Sequence, residues 1–202
     1  GYGTVFKLTT SGAITTLVNF DYWNGGANPQ AGLIVGPGGN FYGTTVGGGT
    51  NLLQTGPNSY DAESFGTVFE LTTNGSFTPL AYFNSTNGAN PYGGLAFGLD
   101  GNLYGTTTYG GISNDGTIFQ LLTNGMLTTL TNFTGANGAN PIASLTLGPD
   151  GNFYGTTQYG GINNNGTVFQ VTTNGTLNTL VNFYGNNGAY PNAGLLLGTD
   201  GN

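Results

Sequence analysis

The chain has 202 residues, among them 40 Gly, one Lys and eight carboxylates, with neither Cys nor His, and a formal net charge of −7. Without His or Cys there is no Ser-His-Asp or Cys-His nucleophile system, and no zinc, copper or iron site of the usual nitrogen and sulfur type. One cation cannot neutralise a phosphate backbone, which excludes a nucleic-acid partner. The longest apolar runs, such as residues 195–197, are strand-sized and fall short of the roughly 18 residues of a membrane helix, so no membrane insertion is expected of this segment.

Charged residues make up only 4% of the chain, so Asn, Thr, Ser and Gly must carry solubility. Such a surface suits a secreted or cell-surface protein better than an intracellular one. The absence of Cys is neutral on this point. The 12 Tyr and 13 Phe are enough to fill a core, and set the chain apart from a Gly-rich linker. Residue 1 is a Gly standing in mid-pattern, the expected appearance of a processed or excised chain.

Gly-Thr-Val/Ile-Phe begins at Gly3 and recurs at Gly66, Gly116 and Gly166, at intervals of 63, 50 and 50 residues. The first interval carries one extra residue between Phe20 and Pro29 and twelve between Thr45 and Gly66; without them it too is 50. The period divides a single repeat domain, 1–202, into units at about 3–65, 66–115, 116–165 and 166–202, with an insertion at about 46–65. Each unit holds four strand-like pieces. In the third they are residues 143–147, 153–157, 166–172 and 177–183, β-branched and aromatic runs bounded by Gly, Asn, Asp and Pro. Asn74-Gly75, Asn124-Gly125 and Asn174-Gly175, with Ser11-Gly12 once in their place, are expected as two-residue hairpin turns with φ > 0 at both central residues. Asp-Gly-Asn at 100, 150 and 200 marks a second turn, with Gly38 where the Asp would stand in the first copy.

Four antiparallel strands every 50 residues predict an all-β fold, a β-propeller of four-stranded blades. Leu33, Leu95, Leu145 and Leu195 share a strand face with Val35, Phe97, Leu147 and Leu197. Ile34, Ala96, Thr146 and Leu196 point the other way and are mostly apolar as well, as a blade sandwiched between neighbours requires. The alternatives are an open repeat stack or a β-solenoid. The pattern begins on a third strand and stops after a first, which fits a slice of a longer array, a small four-bladed ring, or a blade completed by a neighbouring molecule.

The unit Asp-Gly-Asn-Phe/Leu-Tyr-Gly-Thr-Thr, Tyr-Gly-Gly, Gly-Thr-Val-Phe, Leu-x-Asn-Phe and Gly-Ala-Asn-Pro stands at 100–107, 109–111, 116–119 and 138–141, and again one period later. It resembles the GloVer-type tandem repeat of "choice-of-anchor" bacterial surface proteins over essentially the whole chain. The resemblance implies export and surface attachment and carries no assigned activity or catalytic residue. The blade is also similar to those of NHL and gluconolactonase-like propellers, where the Asp-Gly-Asn-Leu-Tyr turn is structural.

Asp100, Asp150 and Asp200 are the sharpest chemical candidates. Calcium takes oxygen ligands of this kind, but a lone Asp before Gly-Asn more often caps its own turn, and Gly38 suggests that a charge there is optional. Lys7, Glu70, Gln120 and Gln170 occupy one repeat position and read as a solvated strand face; an exposed Lys7–Glu70 pair is worth little. Tyr60, Asp61 and Glu63 lie in the insertion, expected as an assembly loop rather than a pair of catalytic carboxylates. Trp23, Tyr22, Tyr109 and Tyr159 can stack on sugar rings; otherwise Tyr109 and Tyr159 fill space between blades. Five N-x-Ser/Thr sequons begin at Asn74, Asn84, Asn132, Asn165 and Asn174; in a glycoprotein, Asn84 and Asn132 are expected to be the more accessible.

These observations lead to an expected bacterial structural or adhesive protein, secreted or on the cell surface, not an enzyme, and fibre-forming through head-to-tail contact. Its partners are copies of itself or adjacent repeats, and its cofactor is none, with calcium the exception. A lectin-like propeller that binds glycans is the alternative. A lyase or lactonase-type enzyme is the weaker one.

Overall fold

A computed structural model describes residues 1–23, 25–49 and 65–201. Tyr60, Asp61 and Glu63 lie outside the described residues. The first sheet pairs β1 (Thr4–Leu8) with β2 (Ile14–Asn19). Three four-stranded sheets follow. They are β3 (Ile34–Val35), β4 (Phe41–Thr45), β5 (Thr67–Leu71) and β6 (Phe77–Tyr82); β7 (Ala96–Phe97), β8 (Leu103–Thr107), β9 (Thr117–Leu121) and β10 (Leu127–Asn132); and β11 (Thr146–Leu147), β12 (Phe153–Thr157), β13 (Thr167–Val171) and β14 (Leu177–Asn182). Each is a meander in sequence order with antiparallel ladders only. A solenoid would stack parallel strands, so the blade reading holds. A sequence unit and a sheet are out of phase: the sheet β3–β6 takes its first two strands from one unit and its last two from the next. Within residues 1–202 one sheet therefore has two strands instead of four, and residues 195–197 form no ladder.

The short strands β3, β7 and β11 are the inner edge, and β7 and β11 approach one another. The backbone a few residues before each of these inner positions is tied to the preceding sheet by that sheet's second strand. The Thr44 hydroxyl donates to the Gly93 carbonyl at 3.2 Å, Thr106 to Ala143 at 3.3 Å and Thr156 to Ala193 at 3.1 Å. These threonines are nearly or fully buried, so each bond forms away from water, where an unpaired hydroxyl would be costly.

The outer strand breaks the alternation expected of a strand. In β10, Thr129 opposes Phe119 and Thr131 opposes Ile118, leaving Leu130 as an extra residue; Leu17, Leu80 and Leu180 are skipped in the same way. This bulge lets two neighbours such as Leu80 and Ala81 both join the same core cluster. Pro79 is tolerated beside it because β6 is an edge strand.

The core lies between sheets. After each fourth strand a Phe meets, edge-on, a Phe on the third strand of the next sheet. Phe20 meets Phe69 (5.5 Å between centroids, 62° between planes), Phe83 meets Phe119 (5.1 Å, 63°) and Phe133 meets Phe169 (5.2 Å, 64°). Around each pair stand aliphatic residues from both faces, for example Ile118 and Leu130 against Leu145 and Val171. The inner pair alternates without losing volume: Val35 opposes Phe41, Phe97 opposes Leu103 and Leu147 opposes Phe153.

The Gly that opens each tetrad has a steric cause. Gly116 has φ +98°, and a Cβ there would lie 2.3 Å from the Thr107 carbonyl oxygen and 2.9 Å from the Pro141 ring. The hairpins differ from expectation. Only the Gly of Asn74-Gly75, Asn124-Gly125 and Asn174-Gly175 has positive φ. The Thr72 N–H donates to the Ser76 carbonyl and the Gly75 N–H to Thr72, which makes a three-residue loop with Gly in the left-handed region. The Asn instead uses its side chain: Asn74 Oδ1 accepts from the Ser76 N–H and the Thr72 hydroxyl.

Phe133 is fully buried, so Phe133→Ala is expected to cost about 3–5 kcal/mol through the cavity it leaves. Phe6→Ala, at the equivalent position to Phe169 but 55% exposed, should change stability by no more than about 0.5 kcal/mol. Denaturant midpoints of the two variants check this; equal losses would contradict the junction as described.

Candidate functional site

Each blade has two chemically distinct ends. Both hairpins of a sheet turn at one end; the connection between second and third strands and the crossover to the next sheet lie at the other. The sequence candidates separate accordingly: the Asp turns fall at the hairpin end and the aromatic candidates at the loop end.

At the hairpin end Asp100 and Asp150 are surrounded by donors. Asp100 Oδ2 accepts from Asn102 Nδ2 at 2.7 Å and the Tyr104 hydroxyl at 2.7 Å, and Oδ1 accepts from the Asn102 N–H at 3.1 Å. Gln120 Nε2 donates to the Tyr104 oxygen at 2.6 Å. One period on, Asp150, Asn152, Tyr154 and Gln170 repeat the network. Asp200 lies in the same turn of the next copy, where the Gly201 N–H donates to Gly198. The oxygens of Asp100 and Asp150 accept from N–H and O–H groups of their own turn and hold it in place. Among the described residues no group of three or more Asp or Glu side chains converges.

The first copy shows that the charge is relocated rather than dispensed with. Gly38 stands at the Asp position with φ +83°, a conformation that disfavours Asp. The carboxylate comes instead from Glu70 on β5. Glu70 Oε1 accepts from the Tyr42 hydroxyl at 2.8 Å and from Asn40 Nδ2 at 2.7 Å. Glu70 and Gln120 therefore serve the same Tyr from the third strand, Glu70 as acceptor and Gln120 as donor. The position read as a solvated strand face is half-buried at Glu70, Gln120 and Gln170, and exposed only at Lys7. The tyrosines were missed by sequence reasoning; the signal was the Asp-x-Asn-x-Tyr spacing with an amide 16 residues after the Tyr.

These contacts set the ionisation. Burial, with the Glu70 carboxylate beside it, pushes the Tyr42 phenol up to about 12 from 10.0, and burial with Asp100 does the same to Tyr104. Partial burial raises the Asp100 carboxyl, but the bonds from Tyr104 and Asn102 outweigh it and leave it below its ordinary value. Asn152 and Tyr154 lower the Asp150 carboxyl.

At the loop end Tyr22 and Trp23 follow β2 in the crossover to β3. Tyr2, Tyr22 and Trp23 form a row of rings with centroid separations of 5.3 and 5.5 Å, and Trp23 is 46% exposed. Tyr109 and Tyr159 are 43% and 39% exposed, so part of each ring faces solvent. Tyr159 pairs with Tyr190 at 5.5 Å. Tyr190 takes the left-handed position that Asn28, Asn90 and Asn140 hold in the other crossovers.

Of the sequons, Asn84, Asn74 and Asn174 are exposed, whereas Asn132 and Asn165 are half-buried. The accessibility expected of Asn132 is corrected: its Oδ1 accepts from the Ile112 N–H at 3.0 Å and holds the neighbouring loop.

Because the folded pKa of Tyr42 and Tyr104 exceeds the unfolded one, the stability they contribute is full below pH 10 and is lost as pH rises towards about 12. Tyrosinate absorbance should show both ionising last. Glu70→Gln should move the Tyr42 ionisation to lower pH and leave Tyr104 alone; an unmoved Tyr42 would contradict the network.

The comparisons place this geometry among known proteins. The model of the Gloeobacter/Verrucomicrobia repeat matches residues 1–202. No curated protein matches the sequence. Among the solved structures that share the fold are three with enzyme names. A streptogramin B lyase is 21% identical with a TM-score of 0.62, over 99% of this chain and 54% of its own. A virginiamycin B lyase from Staphylococcus aureus is 16% identical at 0.57, over 88% and 48%. A gluconolactonase from Xanthomonas campestris is 19% identical at 0.55, over 89% and 55%. The chain spans about half the length of these structures, and at such identities the likeness shows the fold alone.

The neighbours overturn one expectation. The chain was expected not to be an enzyme, yet the structures that share its fold carry enzyme names. The absence of His and Cys removes particular nucleophile systems, but acid–base work also runs on carboxylates and tyrosines, which the hairpin end has. With its repeat matched from the first residue to the last, the chain belongs to the Gloeobacter/Verrucomicrobia repeat family, on a β-propeller fold.

Proposed function

We propose that the chain is a structural or adhesive module that works outside the cell or on its surface. The observation that carries the reading is that Phe, Thr and Asn side chains recur in one role, holding sheet to sheet and turn to turn. The Phe pairs repeat with nearly the same geometry at three junctions. Among the described residues no buried side-chain polar atom lacks a partner. A body joined in this way is stiff and modular. Its surface is solvated by neutral amides and hydroxyls, with 4% charged residues, which supports a place outside the cell. Antibody labelling of intact source cells, together with the culture medium, tests it. Label on intact cells or in the medium is expected; protein confined to the cytoplasmic fraction would refute the placement.

The ring row at the loop end favours glycan binding as a second reading. Tyr22 and Trp23 offer aromatic faces to a sugar, and repeated loops would add avidity. Trp23 is the one Trp of the chain and so reports on its own site. Oligosaccharides that bind there at millimolar concentration should shift its emission, and Tyr22→Ala should abolish the shift. Unchanged emission across a glycan panel would remove this reading. The neighbours' names keep lyase and lactonase chemistry as the remaining alternative. Metal-dependent turnover of streptogramin B or gluconolactone, lost in Asp150→Ala, would put catalysis in place of the scaffold.

A further inference from the structure

The crevices between sheets at the hairpin end are not alike. Between the sheets β3–β6 and β7–β10, both four-stranded and packed on one another, lies a cleft of about 300 Å³. Leu80, Phe97, Leu103 and Leu121 wall it, and Tyr42 and Glu70 reach into its lining. One period on, the crevice is closed. A Cβ on Gly175 would lie 2.6 Å from the Leu130 carbonyl oxygen, and one on Gly151 would lie 3.4 Å from Leu99 Cδ1. A Cβ on the corresponding Gly125 or Gly101 would meet no described atom within 4 Å. The inner edge differs in step with this. Tyr104 packs on Phe153 at 4.3 Å between centroids and is fully buried. Tyr42 has the smaller Leu103 at the place of Phe153, meets Phe97 edge-on at 5.5 Å and 89°, and stays half-buried. The charge differs as well. Glu70 stands where Gln120 and Gln170 stand in later units. Its Oε1 accepts from Tyr42 and Asn40, whereas its Oε2 accepts from no described residue. Lys7, the one cationic side chain of the sequence, lines the crevice on the opposite face of this sheet, with Phe41 and Thr73.

We propose that this cleft binds a small primary ammonium ion with an apolar body. The ammonium group donates to Glu70 Oε2, and the body lies on Phe97, Leu103 and Leu121. Charge complementarity is the argument for this occupant: the cleft holds one carboxylate with a free oxygen and no cation to meet it, between walls that are otherwise apolar. A charge-assisted hydrogen bond to a half-buried carboxylate fixes one end of the ligand, and aliphatic and aromatic walls shed water from the other. The right-angled rings of Tyr42 and Phe97 add an aromatic face of the kind that attracts an ammonium ion. An anion would meet Glu70 unpaired, and a neutral ligand would leave its charge unanswered. The site lies at the hairpin end, apart from the ring row of the loop end, and does not depend on the scaffold reading.

Phenethylammonium, titrated into the 202-residue chain and followed by amide NMR, is the test. Saturable binding in the millimolar range is expected, as suits so small a ligand. The amides of Gly101 and Gly125 should shift and those of Gly151 and Gly175 should not. Phenethyl alcohol, the neutral analogue, should bind at least about tenfold more weakly. Glu70→Gln should weaken phenethylammonium by the same factor; it should fold, because Gln holds this position in later units. The double exchange Phe97→Leu with Leu103→Phe copies the inner edge of the closed crevice, where Leu147 opposes Phe153, and should abolish binding with circular dichroism unchanged. An absence of saturable binding at millimolar concentration overturns the proposal. So do equal shifts at Gly151 and Gly175, which would mean adsorption to hairpin ends in general, and so does undiminished affinity for the alcohol or in Glu70→Gln.

Discussion

A sheet with two apolar faces cannot rest in water on either of them. That constraint shapes most of this molecule. Adjacent described sheets cover one another, and the contact that sets their separation is the edge-on pair of Phe rings between one fourth strand and the next third strand. An edge-to-face pair has a preferred distance and tilt, so it fixes how far apart and at what angle adjacent sheets stand. The bulge beside it supplies the rest of the face, since two successive residues of the outer strand then point at the same partner. Volume at the inner edge is held constant by exchanging which strand carries the aromatic residue.

Polar groups follow the same plan. Buried threonines on the second strand reach carbonyls of the segment three residues before the next inner position, and a second set pairs within the sheet, such as Thr107 with Thr117 at 2.8 Å. A hydroxyl both donates and accepts, so a Thr can close a bond on either side without a charge to desolvate. This is how a chain with so few ionisable groups keeps its interior satisfied. The few carboxylates it has are placed with care: when a turn cannot hold an Asp, the third strand provides a Glu to the same phenol.

Much of the fold was legible because period and punctuation survive in the sequence. The tetrad at Gly3, Gly66, Gly116 and Gly166 gave the repeat, and the residue pattern of 153–157 coincided with β12. What escaped had physical reasons. The hairpin type depends on the φ of one Asn, and Asn is compatible with both three-residue and two-residue loops. The bulge shifts a ladder without changing composition. The carboxylate network joins residues 28 apart in the first copy and four apart in the second, so no local window contains both versions. Accessibility failed at Asn132 because a loop 20 residues away uses its oxygen. The candidate surfaces were legible as residue types; their division between two ends of a blade needed the topology.

The offset between sequence unit and sheet has a genetic consequence. A duplication or deletion of 50 residues, cut at any matching point in the repeat, joins the inner half of one sheet to the outer half of another. Because every junction uses the same residue types in the same register, the hybrid sheet meets its neighbours as the parents did. Unequal recombination can thus lengthen or shorten such an array by whole blades without breaking the core.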